Sequence, residues 1–264
     1  LVLRSASDRA FVAGADLKSI APPSMADNPG LGDDALHAYL LYASRVYALV
    51  ADLPFPTVAA INGAALGGGL ELAMHCDALV GAPPPARDGQ PGKPYPVGLP
   101  EAGLGICPGW GGTTLLPARI DPFEAIKRTC AGTTFTYDEA VAAGLFDRVA
   151  PTAADLLPTC FALIAGMNAS FAGTPVAKAP GLAMGAGDAR RRDRAPYRWA
   201  GRPRTAAATL QALDRAKAEL PGSLPESQAG PTAAVLDAIE KGLTRGWDAC
   251  LQAEQDHLVR LRHT

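Results

Sequence analysis

The chain has 264 residues, of which 48% are hydrophobic and 19% are charged, a balance typical of globular proteins with a buried core. Its formal net charge of −2 gives no general attraction for nucleic acid or an anionic membrane, and no apolar run reaches the about 18 residues that span a bilayer. The five cysteines include no Cys-x-x-Cys pair, which argues against a disulfide framework or a zinc ribbon. No secretory leader is recognisable. We therefore expect a cytoplasmic protein that binds neither nucleic acid nor membranes.

The first part of the chain alternates short apolar runs with helical periodicity. Apolar residues recur at three- and four-residue steps from Asp34 to Leu53, which predicts a helix that Asp33 or Asp34 caps. The order strand, turn, helix, strand is typical of βαβ units and predicts an α/β fold. The predicted elements are strands at Leu1–Arg4, Thr57–Ile61 and Ala78–Val80 and helices at Asp34–Leu53 and Leu66–His75.

The β signal weakens further along the chain. Pro83–Pro96 is rich in Pro and Gly without periodicity and is predicted to be a surface loop. We expect an α/β core over residues 1–167 and a helical region over residues 168–264. Seven arginines in residues 190–204 form either a solvated face or an anion contact. The other predicted elements are a strand at Phe146–Val149 and helices near Thr113 and at Asp121–Ala131, Tyr137–Ala143, Ala153–Met167, Arg204–Leu220, Ala233–Leu243 and Trp247–Leu261.

The segment Phe11–Lys18 carries the first chemical signal. Its small residues Ala13, Gly14 and Ala15 let the backbone approach a ligand, and a helix that begins near Asp16 would direct free N–H groups at an anion. A simple turn accounts for the same residues, so this segment alone assigns no site.

A glycine triplet, Gly67–Gly69, follows the predicted strand Thr57–Ile61 and opens a helix. Gly costs about 1 kcal/mol relative to Ala inside a helix, so the triplet indicates backbone N–H groups that face a developing oxyanion or a phosphate. The absence of a G-x-G-x-x-G pattern and of a P-loop lysine argues against a nucleotide. Glu71 is either a buried carboxyl with a raised pKa or an anion that caps the first turn of its helix.

Glu101 stands just before a second glycine-rich segment, Pro108–Thr113, with the sequence PGWGGT. Glu71 and Glu101 thus share apolar, glycine-rich surroundings. Two such carboxyls suit general acid–base catalysis, because different environments move their pKa values apart.

Together the three segments resemble the crotonase, or enoyl-CoA hydratase/isomerase, superfamily over roughly Leu1–Val149. Family members have A-G-A-D, then N-G-x-A-x-G-G-G-x-E-L after a strand, then P-E and a P-G-x-G-G-T turn. Here these motifs stand in order at Ala13–Asp16, Asn62–Leu72 and Pro100–Thr113. The resemblance implies a crotonase-like ββα spiral core with a helical C-terminal region, and the family's N-terminal strands and first helix have no counterpart in this chain.

The resemblance also implies a role for each matched residue. The N–H groups of Ala15 and Gly68 match the oxyanion hole that holds the thioester oxygen of an acyl-CoA. Glu71 matches the glutamate that activates water, and Glu101 matches the glutamate that delivers a proton to the α-carbon. No metal and no separate cofactor are implied, since coenzyme A is part of the substrate. The implied substrate-binding residues are Ala13, Asp16, Lys18, Gly67 and Gly109.

The presence of both glutamates favours hydration of a trans-2-enoyl-CoA, of the kind found in fatty-acid β-oxidation. The alternatives are a Δ3,Δ2-enoyl-CoA isomerase, an acyl-CoA hydrolase or decarboxylase, and a non-catalytic acyl-CoA-binding protein. The family pattern implies a homotrimer or a dimer of trimers. Gly230–Leu261 looks like the end of the hydratase part of multifunctional fatty-acid oxidation proteins, which implies a functional link to a 3-hydroxyacyl-CoA dehydrogenase. In the other interpretation, these helices form the trimer contact and cover the acyl chain. The segment Pro83–Pro96 either covers the acyl pocket or is a surface insertion.

Five residues near the motifs have two interpretations each. Cys107 is expected to line the pocket rather than to act as a nucleophile, and His75 to pack in a helix rather than to bind a ligand. Trp110 contacts the acyl chain or belongs to the core. Lys18 contacts a CoA phosphate or is solvated, and Asp16 is expected to cap a helix rather than to take part in catalysis.

Overall fold

The computed structural model describes residues 1–7, 9–20, 30–53, 55–86, 90, 92–171 and 203–264. The strands are β1 (Val2–Arg4), β2 (Ala10–Val12), β3 (Val58–Ile61), β4 (Ala64–Leu66), β5 (Ala78–Gly81), β6 (Pro96–Gly98), β7 (Thr134–Thr136) and β8 (Arg148–Val149). The α-helices are α1 (Leu17–Ile20), α2 (Asp33–Ala51), α3 (Gly68–Met74), α4 (Gly112–Leu115), α5 (Pro122–Ala131), α6 (Tyr137–Ala142), α7 (Leu156–Phe171), α8 (Pro203–Glu219), α9 (Ala229–Arg245) and α10 (Trp247–Leu261). Short 3-10 helices lie at Glu101–Leu104 and Glu226–Gln228.

The first sheet is parallel and has the strand order β1-β3-β5-β8. Every residue of its two central strands is buried, because both faces of the sheet are covered. On one face Ala59 and Leu79 join the main core, and on the other Val58 and Val80 pack with residues of α7. The predicted α/β class is confirmed, and the strands of this sheet lie where the apolar runs predicted them.

The second sheet, in the order β2-β4-β6-β7, was not predicted from the sequence. Its first three strands are parallel, and β7 runs antiparallel to β6. Each strand has only three residues, which is too short to show a period-2 pattern. The predicted helix start at Leu66 is wrong, because Leu66 ends β4 and the helix begins at Gly68. No strand was predicted at Ala64–Leu66, since alanine carries no β signal. This sheet matters for the site because β4 leads directly into the glycine triplet.

The predicted cap of α2 is also wrong. Gly32 precedes the helix and makes no side-chain cap. The Asp33 carboxylate instead pairs with Arg262 and lies 2.8 Å from His263 Nε2, both at the end of α10. The hydrogen bonds from His263 and Arg262 lower the pKa of Asp33, and the one from His263 has the larger effect. The start of α2 is thus held by the C-terminal end of the chain.

The predicted C-terminal helices are confirmed, with ends that differ by up to four residues. α9 begins earlier than expected because Pro231 lies in its first turn, where a missing N–H costs nothing. The proposed boundary between residues 167 and 168 stays a prediction. Of the arginine-rich segment, residues 190–202 lie outside the described residues. In the described parts of the chain, no helix is both long enough and apolar enough to cross a membrane.

Candidate active site

The glycine triplet forms the centre of the candidate site. Gly67 donates its N–H to Gly98 O at 2.9 Å, which fixes the end of β4 beside β6. α3 then begins at Gly68, whose N–H has no acceptor within its own helix. A Cβ on Gly68 would collide with the ring of Trp110, so the backbone approaches this ring more closely than any other residue type allows. The N–H groups of Gly68 and Gly69, in the first turn of α3, are therefore the donors of the triplet that have no acceptor within the helix.

Residues 13–15 lie against this turn. A Cβ built on Gly14, whose φ is +91°, would lie 3.9 Å from the Gly68 nitrogen. Ala15 is half-buried and packs with the cluster that contains Trp110. The two sequence-predicted oxyanion residues, Ala15 and Gly68, are thus brought to neighbouring positions although 53 residues separate them in the sequence.

Asp16 caps helix α1, as predicted. Its Oδ1 accepts a hydrogen bond from Lys18 N at 3.0 Å. Ala13, Asp16 and Lys18 are exposed beside Ala15. These three residues, which the sequence predicts to bind substrate, therefore lie at the molecular surface next to the glycine turn.

Glu71 is 1% exposed and does not cap its own helix. Its Oε1 accepts hydrogen bonds from the backbone N–H of Trp110 at 2.9 Å and of Gly112 at 2.8 Å. Burial and the nearby charges of Glu254 and Glu101 raise its pKa well above the usual range, and the two backbone donors oppose that rise. Of the two readings of this residue, the structure supports the buried carboxyl.

Glu101 is also buried, but its surroundings differ. It is the first residue of a 3-10 helix, its Oε1 faces Gly67, and its buried Oε2 has no hydrogen-bond partner among the described residues. Burial raises the pKa of Glu101 to about 8, and the charge of Glu254 adds to the rise. A carboxyl without a donor at Oε2 is held in its protonated form near neutral pH.

A third buried carboxylate, Glu254 on α10, was missed by the sequence analysis. It is fully buried and accepts hydrogen bonds from Gly111 N at 2.6 Å and Thr113 N at 2.9 Å. The signal was present, because Glu254 interrupts an apolar helix face that Trp247, Cys250 and Leu258 otherwise form. A charge on the buried face of a helix indicates a partner elsewhere in the fold.

Two aromatic residues support the Gly68 peptide. Trp110 donates its ring N–H to Leu40 O at 3.2 Å, which orients the ring that packs on Gly68. The Tyr47 hydroxyl donates to Gly68 O at 3.1 Å, and its ring centroid lies 5.3 Å from that of Trp110. The structure therefore gives Trp110 the core role, and Tyr47 is a second residue that sequence reasoning missed.

The remaining candidates do not face the site as reactive groups. Cys107 is fully buried and burial raises the pKa of its thiol well above the usual range, which argues against a nucleophile. His75 is 3% exposed at the end of α3, with its ring between those of Tyr47 and Trp247, so it packs as predicted. Gly109 is buried against Leu40 and Leu258 of two helices.

Comparisons with known proteins agree with this geometry. The family model described as enoyl-CoA hydratase/isomerase matches residues 1–178. YngF of Bacillus subtilis, named as an enoyl-CoA hydratase/isomerase, is 36% identical over 170 residues, which are 64% of this chain and 58% of that protein. The chain thus spans little more than half the length of this curated relative.

Solved structures show the same fold. An enoyl-CoA hydratase from Bacillus anthracis matches 100% of this chain and 72% of its own, with 24% identity and a TM-score of 0.51. A carnitinyl-CoA dehydratase from Mycobacterium thermoresistibile matches the same shares with 20% identity and a TM-score of 0.61. The fold is therefore crotonase-like, with a helical C-terminal region. The chain belongs to the enoyl-CoA hydratase/isomerase family.

Proposed function

We propose that the protein hydrates trans-2-enoyl-CoA thioesters to 3-hydroxyacyl-CoA, with Glu71 and Glu101 as the acid–base pair. The observation that carries this proposal is the opposite bonding of two buried carboxyls. Glu71 receives two backbone N–H donors, whereas Glu101 Oε2 receives none from the part of the chain that the structure describes. Burial raises the pKa of both groups, and only Glu71 has two backbone donors that oppose the rise. Because donors favour a carboxylate and their absence favours a carboxylic acid, we assign Glu71 as the base and Glu101 as the acid.

Each carboxyl then has a defined task. The Glu71 carboxylate orients a water molecule and accepts its proton as the oxygen bonds to the β-carbon of the substrate. Glu101 gives its proton to the α-carbon. The net change is the addition of one water across the double bond, and a proton passed from Glu71 to Glu101 restores the starting state. General acid–base catalysis of this kind contributes about 10²–10⁴-fold.

The glycine turn supplies the third component. Attack at the β-carbon moves negative charge onto the thioester oxygen, and the N–H groups of Ala15 and Gly68 are proposed to receive it. Losing one such donor costs about 2.7–4 kcal/mol of transition-state stabilisation in other enzymes. The rigid setting of Gly68 between Trp110 and Tyr47 supports this role, because a preformed donor needs no reorganisation during the reaction.

The wider setting is proposed on the family resemblance. Lys18 is exposed beside Ala15, which suits a contact with a CoA phosphate, and Ala13, Asp16, Gly67 and Gly109 complete the proposed substrate-binding set. We place the enzyme in the cytoplasm, in β-oxidation, as a homotrimer or a dimer of trimers. A 3-hydroxyacyl-CoA dehydrogenase would consume its product.

A second candidate is a Δ3,Δ2-enoyl-CoA isomerase. It is favoured by Glu101 alone, because a carboxyl whose Oε2 has no hydrogen-bond partner among the described residues can move a proton between two carbons of the same substrate. Hydrolysis, decarboxylation and binding without turnover are the other outcomes that the same fold permits.

Two substrates separate these reactions. A hydratase consumes crotonyl-CoA with loss of the enoyl absorbance and a product heavier by one water, whereas an isomerase leaves crotonyl-CoA intact and converts but-3-enoyl-CoA into it. Mass analysis detects free CoA from a hydrolase and carbon dioxide loss from a decarboxylase. Binding of butyryl-CoA in a calorimeter without turnover of either enoyl substrate would replace the proposal by a binding role.

A further inference from the structure

Four consecutive backbone amides, those of residues 110–113, are shared between two buried carboxylates. Glu71 accepts from the first and third, at Trp110 and Gly112, with distances of 2.9 and 2.8 Å. Glu254 accepts from the second and fourth, at Gly111 and Thr113, with distances of 2.6 and 2.9 Å. Alternate N–H groups of the turn thus face opposite sides, and each side ends on a carboxylate.

Helix α10 makes further hydrogen bonds to this turn besides the two that Glu254 accepts from the amides. Glu254 Oε1 also accepts from the Thr113 hydroxyl at 2.6 Å. The next residue, Gln255, donates from Nε2 to Gly109 O at 3.3 Å and to Ser44 Oγ at 2.7 Å. Helix α10 therefore fixes the turn by both an acceptor and a donor, from more than 140 residues further along the chain.

The turn in question carries two parts of the proposed site. Its Trp110 and Gly112 amides hold Glu71 Oε1, and the Trp110 ring packs on Gly68. Any shift of the turn moves the general base and the oxyanion donor together. A misplacement of about 1 Å costs up to about 100-fold in rate in other enzymes.

We propose that Glu254 is a positioning residue of the active site, which fixes the 110–113 turn so that Glu71 and Gly68 are held in their catalytic positions. This inference rests on the proposed function for its kinetic part and on the hydrogen bonds alone for its structural part. Glu254 does not reach the substrate and acts only through the turn.

The charge of Glu254 gives this role a signature in the pH profile. The titratable groups packed around it are Glu71, Glu101, Cys107 and Cys250. Burial raises the pKa of Glu254, and the hydrogen bonds from Thr113 and Gly111 oppose that rise and favour the carboxylate. The charge of this carboxylate raises the pKa of both Glu71 and Glu101. Removing it lowers both values, so both limbs of a bell-shaped pH–rate profile move to lower pH. A purely structural defect lowers the rate without moving the limbs.

The test compares Glu254→Gln with Asp256→Asn, a matched carboxylate-to-amide change on the exposed side of the same helix. Amide hydrogen exchange is read first. In Glu254→Gln the Gly111 and Thr113 amides, and then those of Trp110 and Gly112, lose protection, while Asp256→Asn keeps it. Unchanged exchange at residues 110–113 in Glu254→Gln would overturn the proposal whatever the enzyme's activity.

Kinetics with crotonyl-CoA supply the second readout. Glu254→Gln is expected to lower kcat by up to about 100-fold, to shift both pH limbs toward acid and to keep binding of butyryl-CoA, while Asp256→Asn matches the wild type. A wild-type kcat or unmoved limbs in Glu254→Gln would overturn the kinetic part. If the wild type does not hydrate crotonyl-CoA, the proposed function fails and the exchange result still decides the role of Glu254. If Glu254→Gln does not fold, Thr113→Val takes its place, because it removes only the hydroxyl donor to Glu254. Thr113→Val is expected to show smaller losses of amide protection at residues 110–113. Thr113→Ser keeps the hydroxyl and is expected to retain the wild-type protection.

Discussion

Gly67 and Glu101 lie so close that a Cβ on Gly67 would be 2.5 Å from Glu101 Oε1. Gly67 also has a φ of +52°, in the left-handed region that disfavours other residues. The proposed acid can occupy its position only because residue 67, on the turn that carries the proposed oxyanion donor, is a glycine without a Cβ. The proposed acid, the proposed base and the proposed donor therefore form one packed unit.

Gly67→Ala is expected to abolish hydration, because the new methyl group displaces the Glu101 carboxyl. Gly144→Ala is the control, since Gly144 has a φ of +74° and no atom of the described residues lies within 4 Å of the added Cβ. Both variants carry a backbone cost of about 1–2 kcal/mol, measured by urea unfolding. Equal activity of the two variants would mean that backbone strain, and not the contact with Glu101, decides the effect.

Gly68→Ala is expected to lose activity because its methyl group collides with the Trp110 ring. The added substitution Trp110→Ala removes the obstacle, so the double variant should hydrate crotonyl-CoA faster than Gly68→Ala alone. A double-mutant cycle on kcat measures this coupling. Additive effects of the two substitutions would contradict the contact.

Glu101→Gln is expected to raise the stability of the protein at higher pH. The pKa of Glu101 is raised from 4.5 to about 8 on folding, so ionisation is costlier in the folded state. The contribution of Glu101 to the stability of the fold is fully present below pH 4.5 and is lost as the pH rises through 8. Glutamine does not ionise, so the variant avoids this loss. Urea unfolding of wild type and variant at several pH values between these limits should show a difference that grows with pH. Glu240 is exposed, so the stability difference between Glu240→Gln and the wild type should not grow with pH. An equal growth for Glu240→Gln would refute burial as the cause.

Arg119→Met is expected to destabilise the fold by about 3 kcal/mol, because it leaves the Asp147 carboxylate, whose side chain is only 13% exposed, without its buried cation. Arg119 Nη1 lies 3.1 Å from Asp147 Oδ2, and Nη2 donates to Cys76 O at 3.0 Å, just beyond the end of α3. Lys217→Met breaks the exposed pair with Glu240 and should cost less than about 1 kcal/mol. Urea unfolding compares the two, and equal losses would show that burial of the pair does not matter.

Local motifs were sufficient to place most of the site. Glu71 and Gly68 stand in one motif, and the glycines of that motif leave room for residues of other segments, namely Val12, Glu101 and Trp110. The proposed acid Glu101 and the second proposed oxyanion residue Ala15 follow from two further motifs. The structure brings Ala15 and Gly68 together and buries both carboxyls, which for Glu71 decides between the two alternatives that the sequence left open.

The parts that the sequence did not reveal depend on distant contacts. Glu254 is 143 residues from Gly111, and Tyr47 is 21 residues from Gly68, so no spacing rule connects them. The second sheet was missed because three-residue strands gain their stability from neighbours rather than from propensity. Asp33 was predicted as a cap from local sequence, but Arg262 and His263 bind it instead.

The central assignment is tested most directly by hydration of crotonyl-CoA with Glu71→Gln and Glu101→Gln, with butyryl-CoA binding measured on the same preparations. The account predicts that both variants bind butyryl-CoA like the wild type and lose at least about 100-fold in kcat. It also predicts that the wild-type rate falls above pH 8, where Glu101 loses its proton. Hydration at the wild-type rate by either variant would contradict the assignment of Glu71 and Glu101 as base and acid.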